Sequence, residues 1–283
     1  LPISPVRRPR HAMIKFGFPR FTWDGVFVAA CILLVAAIVL GGASRQHELR
    51  LAVVELAALP LLVLGVVALV NQRIPAVSRF ALLLLVAVAA LPLVQLLPLP
   101  PTAWTSLPGR EEMVLALNLI NAPPTWSPLT LAPDKTWRSF LALIPPVAMF
   151  LGVMTLKADS RHRLVYALLA AVVVSVLLGT LQLASGGTQL YPWRTTDAGS
   201  VVGFFANRNH LATLRLMAMP FTGAIIGRAL RRNAEKDRLE MWLAVALLAL
   251  LVVALGVIRS RAGIVLAVPA LLGSLGVTWA ASG

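Results

Sequence analysis

Residues 241–280 read MWLAVALLALLVVALGVIRSRAGIVLAVPALLGSLGVTWA. An apolar run at 241–258 and a second at 262–280 are separated only by Arg259-Ser260-Arg261. About 20 apolar residues wound as a helix cross the roughly 30 Å of a bilayer's hydrocarbon core. The pair therefore reads as two membrane spans joined by a tight turn at the surface. A helix suits that setting because it satisfies its own backbone N–H and C=O groups where no water is available.

The same reading extends over the chain. Of its 283 residues, 59% are apolar and 13% charged, against about 25% charged in a typical soluble domain. The apolar residues fall in blocks at 23–43, 51–70, 80–97, 139–156, 164–184, 209–227, 241–258 and 262–280. The expected fold class is all-α, a polytopic integral membrane protein of about eight transmembrane helices. Its organisation is a basic segment at 1–22, the first helices at 23–97, a loop at 98–137, and the remaining helices at 138–283. The run 23–43 behind a basic segment mimics a signal peptide, but exceeds the usual apolar core of one and reads as an uncleaved first span.

The loop 98–137 is rich in proline and carries Trp104, Trp126 and Trp137. Indole rings favour the water–lipid boundary, so this loop is expected to lie along the membrane, as are Tyr191 and Trp193 in a later loop. Within it, residues 113–120 (MVLALNLI) are apolar but too few to span, and read as a short interfacial helix. Cys31 is the only cysteine and reads as a small buried apolar residue. There is no disulfide framework or metal-ligand spacing, and neither a metal nor a cofactor is expected.

A net charge of +14 invites thoughts of nucleic acid. The cations sit at the ends of apolar runs rather than on one soluble face, so nucleic acid is not an expected partner and the lipid bilayer is. Segments 1–22, 71–79, 157–163 and 228–240 hold five, two, three and five of the 25 Lys and Arg. That bias puts the N-terminus in the cytoplasm. The 98–137 loop and the starts of the sixth and eighth spans then face outward.

One of those starts is chemically unusual. Residues 203–216, GFFANRNHLATLRL, bring two Asn, two Arg and a His to the mouth of an apolar helix. Polar groups at membrane depth are costly and mark functional sites. Arg208 and Arg215 are seven residues apart and share a helix face. A guanidinium is a planar fork that meets phosphate oxygens bidentately. The helix N-terminus adds free N–H groups and a partial positive charge, with Asn207 or Asn209 suited to cap it. Arg259 and Arg261 flank Ser260 just before the eighth span, whose start faces the same side. If the two helices are neighbours, their starts converge on one anion site. The alternative for each arginine is to snorkel to lipid headgroups. Arg215 lies deeper, where snorkelling is harder and either a pyrophosphate ligand or a partner such as Glu55, just inside the second span, becomes attractive. Glu55 itself can instead snorkel or stay neutral near the interface. His210 reads either as a hydrogen-bonded structural histidine or as a general base.

The segment Gly203-Phe204-Phe205-Ala206-Asn207-Arg208-Asn209-His210-Leu211-Ala212 resembles the Gly-Phe-x-Asn-x-Asn-x-x-Ala pattern that opens a transmembrane helix in the O-antigen ligase and polymerase family. Ser260-Arg261-Ala262-Gly263 resembles that family's Ser-Arg-(Gly/Ala) turn between two later spans. Leu107-Pro108-Gly109-Arg110 and Trp126-Ser127-Pro128-Leu129 are similar to stretches of polysaccharide-polymerase members. The resemblance covers residues 98–280. It implies an inverting glycosyltransferase on the periplasmic side of the bacterial inner membrane. Such an enzyme moves a glycan from an undecaprenyl-pyrophosphate carrier to a hydroxyl of an acceptor glycan or lipid A core. Arginines would hold the leaving pyrophosphate; Arg261 matches the family's turn arginine, while Arg208 stands where relatives often carry proline. The family's base is a histidine in a large periplasmic loop, which would follow residue 283, so the chain is expected to be an N-terminal fragment. Ligase and polymerase are not separated by these motifs. Two other readings compete: a transporter or flippase of lipid-linked saccharides, and a non-catalytic subunit of an envelope assembly complex.

Overall fold

Long apolar runs bounded by polar links wind into helices, and the computed structural model describes residues 23–42, 48–70, 76–186, 190–191, 199–232 and 235–283 of them. The basic segment 1–22 and Trp193 lie outside the described residues. The elements are α1 (Trp23–Val39), α2 (Glu48–Val70), α3 (Ala76–Gln95), β1 (Pro98–Leu99), α4 (Pro101–Trp104), α5 (Glu111–Leu119), β2 (Ser127–Pro128), α6 (Pro133–Leu141), α7 (Ile144–Thr155), α8 (Ala158–Ala184), α9 (Arg208–Arg232), α10 (Glu235–Ile258) and α11 (Arg261–Ser282). Among them, six stretches are long and apolar enough to cross a bilayer: Leu49–Val70, Ser78–Gln95, Pro133–Thr155, Ala158–Ala184, Asp237–Ile258 and Arg261–Ser282. The protein is thus an all-α, multi-pass membrane protein.

Two of the apolar runs in the sequence do not join those six. The described apolar part of α1, Gly25–Val39, is shorter than a full span. α9 is long but carries too much polarity, and its position explains why. It packs against α8, α10 and α11, which bury Leu211, Leu214, Arg215, Met219, Thr222 and Ile225 along its length. A helix sheltered by other helices needs no lipophilic perimeter and can carry Arg, Thr and Gly.

The seam between α9 and α11 is the closest in the bundle. A Cβ built on Gly223 would lie 2.5 Å from the Ser274 carbonyl oxygen, and one on Gly227 2.3 Å from that of Thr278. Only glycine lets the two backbones approach so far. The Ser274 hydroxyl donates to the Met219 carbonyl at 2.9 Å, and the Thr278 hydroxyl to that of Gly223 at 3.0 Å. Contacts pair 212 with 263, 219 with 274 and 223 with 278, so the two helices run parallel and their starts lie side by side. A separate apolar core joins α1, α2 and α7 through Ala30, Leu33, Ala58, Leu61 and Ala148.

The segment expected as a loop is more ordered than its composition implies. β1 and β2 pair antiparallel. Trp104 is buried, and its indole N–H donates to the Thr125 carbonyl at 2.7 Å. Arg110 is 3% exposed, its Nη2 donating to the carbonyls of Pro128 and Leu129 at 2.9 and 2.7 Å. Its guanidinium sits 5.8 Å from the Trp104 ring centroid. These bonds close the loop. α5 falls on the apolar stretch read as a short helix and leaves Leu115, Leu119 and Ile120 exposed. α6 begins at Pro133, inside the expected loop, and the fourth apolar run bends at Leu143 before α7.

Candidate anion-binding site

A clamped strap delivers the chain to α9. Gln182, buried near the end of α8, accepts hydrogen bonds from the backbone N–H of Val202 at 3.2 Å and Gly203 at 2.9 Å. Its amide nitrogen donates to the Gly203 carbonyl at 3.0 Å. One side-chain amide thus satisfies backbone groups that would otherwise be orphaned inside the protein. Gly203 has φ +58°, and a Cβ there would lie 2.7 Å from the Ser175 hydroxyl, so no other residue fits this position without strain. The Ala206 N–H donates to the Gly42 carbonyl at 2.9 Å, which ties the strap to the end of α1. Tyr191 packs beside it with Val202 and Ala206. Burial pushes the Tyr191 phenol up from its ordinary pKa, against the opposing pull of Arg50.

Asn207 then caps α9. Its side-chain oxygen accepts from the Asn209 N–H at 2.7 Å, as expected of an Asn just before the first helical residue. Ser260 does the same for α11, accepting from the Gly263 N–H at 3.0 Å. The Ser260 hydroxyl also donates to the Asn209 side-chain oxygen at 2.8 Å. The cap of α11 is therefore latched to the first turn of α9. Between α10 and α11, Arg259 turns the chain with φ +55°, a left-handed conformation that a non-glycine residue adopts at a cost of about 1–3 kcal/mol.

The result is an open concavity of about 630 Å³ lined by Arg208, Asn209, Arg259, Arg261 and Ala262. Three guanidinium groups share it, and among the described residues no carboxylate lines it. Two helix N-termini converge there, each adding partial positive charge and free N–H groups. Fixed cations and dipoles of one sign make a receptor for a multiply charged anion. A diphosphate is one such anion, with oxygens that guanidinium forks can meet bidentately.

The remaining candidates lie elsewhere. Arg215 is 2% exposed and does not line the concavity. Its Nη1 donates to the Ala254 carbonyl on α10, and its Nε has no hydrogen-bond partner. Ala254 belongs to the closing turns of α10, where a cation meets the negative end of the helix dipole. The expected pairing of Arg215 with Glu55 does not form. α2 packs on α1 and α7 rather than on α9, and Glu55 lines a different hollow with Lys135 and Arg138 of α6. His210 is exposed at the edge of the Phe205 ring, 6.4 Å between centroids, and is outside the lining of the concavity.

Sequence reasoning passed over Gln182, Ser274, Thr278 and the Gly223/Gly227 pair. The last was legible as a G-x-x-x-G in an apolar helix. Gln182 had a weaker signal, an amide close to the end of an apolar run. No family model, curated protein or solved structure matches the chain.

Proposed function

We propose that the protein is a membrane glycosyltransferase of the O-antigen ligase or polymerase kind. Arg208, Arg259 and Arg261 would hold the diphosphate of an undecaprenyl-linked glycan. The single observation that carries this reading is their convergence, with two helix N-termini, on one concavity that no carboxylate lines among the described residues. In the reaction an acceptor hydroxyl on a glycan or lipid A core attacks the anomeric carbon from the face opposite the diphosphate. The new C–O bond forms as the bond to the phosphate oxygen breaks, and the hydroxyl proton passes to a base. Negative charge grows on the departing pyrophosphate, and preorganised cations stabilise it without rearranging. No described residue lining the concavity is a base, so the role given to the arginines is with the leaving group.

The same reading places the chain in the bacterial inner membrane with its N-terminus in the cytoplasm, α1 and α9 crossing with the other six. The concavity and the 98–137 loop then face the periplasm. A transporter of lipid-linked sugars would also want cations. Its site belongs near the bilayer midplane between repeats, whereas these arginines stand at helix starts. The test is transfer from a polyprenyl-diphosphate oligosaccharide in proteoliposomes. Arg261→Ala should insert normally and lower transfer about 10²–10³-fold; normal product from that variant would refute the clamp, and vectorial movement of donor without product would favour the transporter.

A further inference from the structure

At the end of the bundle opposite the three arginines, α8, α9 and α10 leave a second opening. A groove of about 260 Å³ runs between them, walled by aliphatic side chains such as Leu169, Val173, Ile225 and Leu247. Its polar end is formed by Tyr166 and Glu240, the lining residues nearest the start of α8 and α10. Arg228 of α9 closes that end. Its Nη2 donates to Glu240 Oε1 at 2.6 Å and to the Tyr166 hydroxyl, with the guanidinium 5.9 Å from the Tyr166 ring centroid. Among the described residues Glu240 is the one carboxylate lining the groove, and this ion pair neutralises it.

Further cations stand just beyond. Arg161, Arg231 and Arg232 are exposed and have no ion-pair partner among the described residues. Arg161, Arg228 and Arg232 all act electrostatically on His162, as does the single carboxylate Asp159, which gathers them at one place with the cations in excess. The groove opens sideways, with Leu243 62% and Tyr166 41% exposed on its rim. An apolar slot between membrane-crossing helices that ends where cations outnumber carboxylates is complementary to an amphiphile with an anionic head.

We infer that this groove binds an anionic phospholipid of the adjoining leaflet. One acyl chain lies against α9 between α8 and α10, and the phosphate meets Arg161, Arg231 and Arg232. Basic pockets between transmembrane helices recognise such headgroups. The Arg228–Glu240 pair removes the repulsion that a bare carboxylate would impose on the phosphate. The site is independent of the diphosphate concavity and does not rest on the glycosyltransferase reading.

The experiment uses the full chain in neutral detergent, titrated with phosphatidylglycerol or phosphatidylcholine of equal chain length, with bound lipid counted by native mass spectrometry. One surface cation is worth about fivefold in affinity for an anionic lipid. Arg231→Gln with Arg232→Gln should therefore weaken phosphatidylglycerol binding about 30-fold and leave phosphatidylcholine unchanged. Ala170→Phe fills the groove from its exposed wall with every charge intact; displacing two methylenes of the acyl chain weakens binding about tenfold. The charge variant alters no buried residue, so it stays decisive if the Phe variant fails to fold. Equal binding of the two lipids by the natural chain overturns the inference. So does phosphatidylglycerol affinity that the charge variant leaves unmoved, or a dimer that occupies the groove and that lipid does not displace.

Discussion

Replacing Gly263 by Ala puts a methyl group into the contact that sets the two helix starts side by side. A Cβ built there lies 2.8 Å from the Ala212 Cβ on α9, where ordinary contact begins near 3.4 Å. The starts of α9 and α11 must then part by roughly half an ångström. Ser260, which caps α11 through the Gly263 N–H and reaches Asn209, sits in the same turn. Overpacking of this kind costs about 1–3 kcal/mol, and a weakened cap about 1 kcal/mol. Ala in place of a helical Gly returns about 1 kcal/mol through helix propensity. The expected net loss is about 1–3 kcal/mol. The assay is unfolding free energy by steric trapping in bicelles, run as a double-mutant cycle with Ala212→Gly. Removing the opposing methyl should restore most of the loss, a coupling of about 0.5–3 kcal/mol expected only for residues in contact. Gly263→Ala as stable as the natural chain, or an Ala212→Gly effect that merely adds to it, would refute the seam and with it the placement of the three arginines.

Arg261→Ala should lower glycan transfer by about 10²–10³-fold, the usual cost of one donor to a charge that develops in the transition state, measured in proteoliposomes with insertion monitored separately. Arg259→Gly relaxes the left-handed residue and should raise unfolding free energy by about 1 kcal/mol while weakening diphosphate binding; a change in only the first would remove Arg259 from the site. Gln182→Leu orphans three backbone groups of the strap at about 1–3 kcal/mol each, and should expose residues 201–206 to hydrogen exchange. Arg215→Met should reduce diphosphate affinity far less than Arg261→Ala does, since its guanidinium faces the Ala254 carbonyl; equal losses by calorimetry would put Arg215 back in the site.

The helices were legible because bilayer thickness fixes a length that the sequence must match with apolar residues. The apolar runs at 51–70 and 241–258 lie within α2 and α10 as the structure draws them. The Asn207 cap was legible too, because capping is local and depends on one side chain and two following residues. What a one-dimensional pattern lacks is adjacency. Nothing in the spacing says that α9 is wrapped by three helices, so its polarity reads as a feature of its mouth rather than of its burial. The same gap produced the Arg215–Glu55 pairing, which assumed that opposite charges at similar depth meet. α2 is committed to α1 and α7, and a backbone carbonyl took the place of the carboxylate. Arg110 shows the same gap: nothing in the loop's composition says that two carbonyls and an indole ring enclose it. Convergence of Arg208 with Arg261 was conditional on neighbouring helices, and the Gly223/Gly227 seam supplies the condition.

The most direct measurement is calorimetric titration of inorganic pyrophosphate into the full chain in nanodiscs of neutral lipid, comparing the natural protein with Arg208→Gln/Arg261→Gln. Hydrogen bonds to charged groups contribute about 1.5–3 kcal/mol each, so loss of two arginines should weaken binding by at least about a hundredfold, with inorganic sulfate a far poorer competitor than pyrophosphate. Equal affinity in the two proteins would contradict the account.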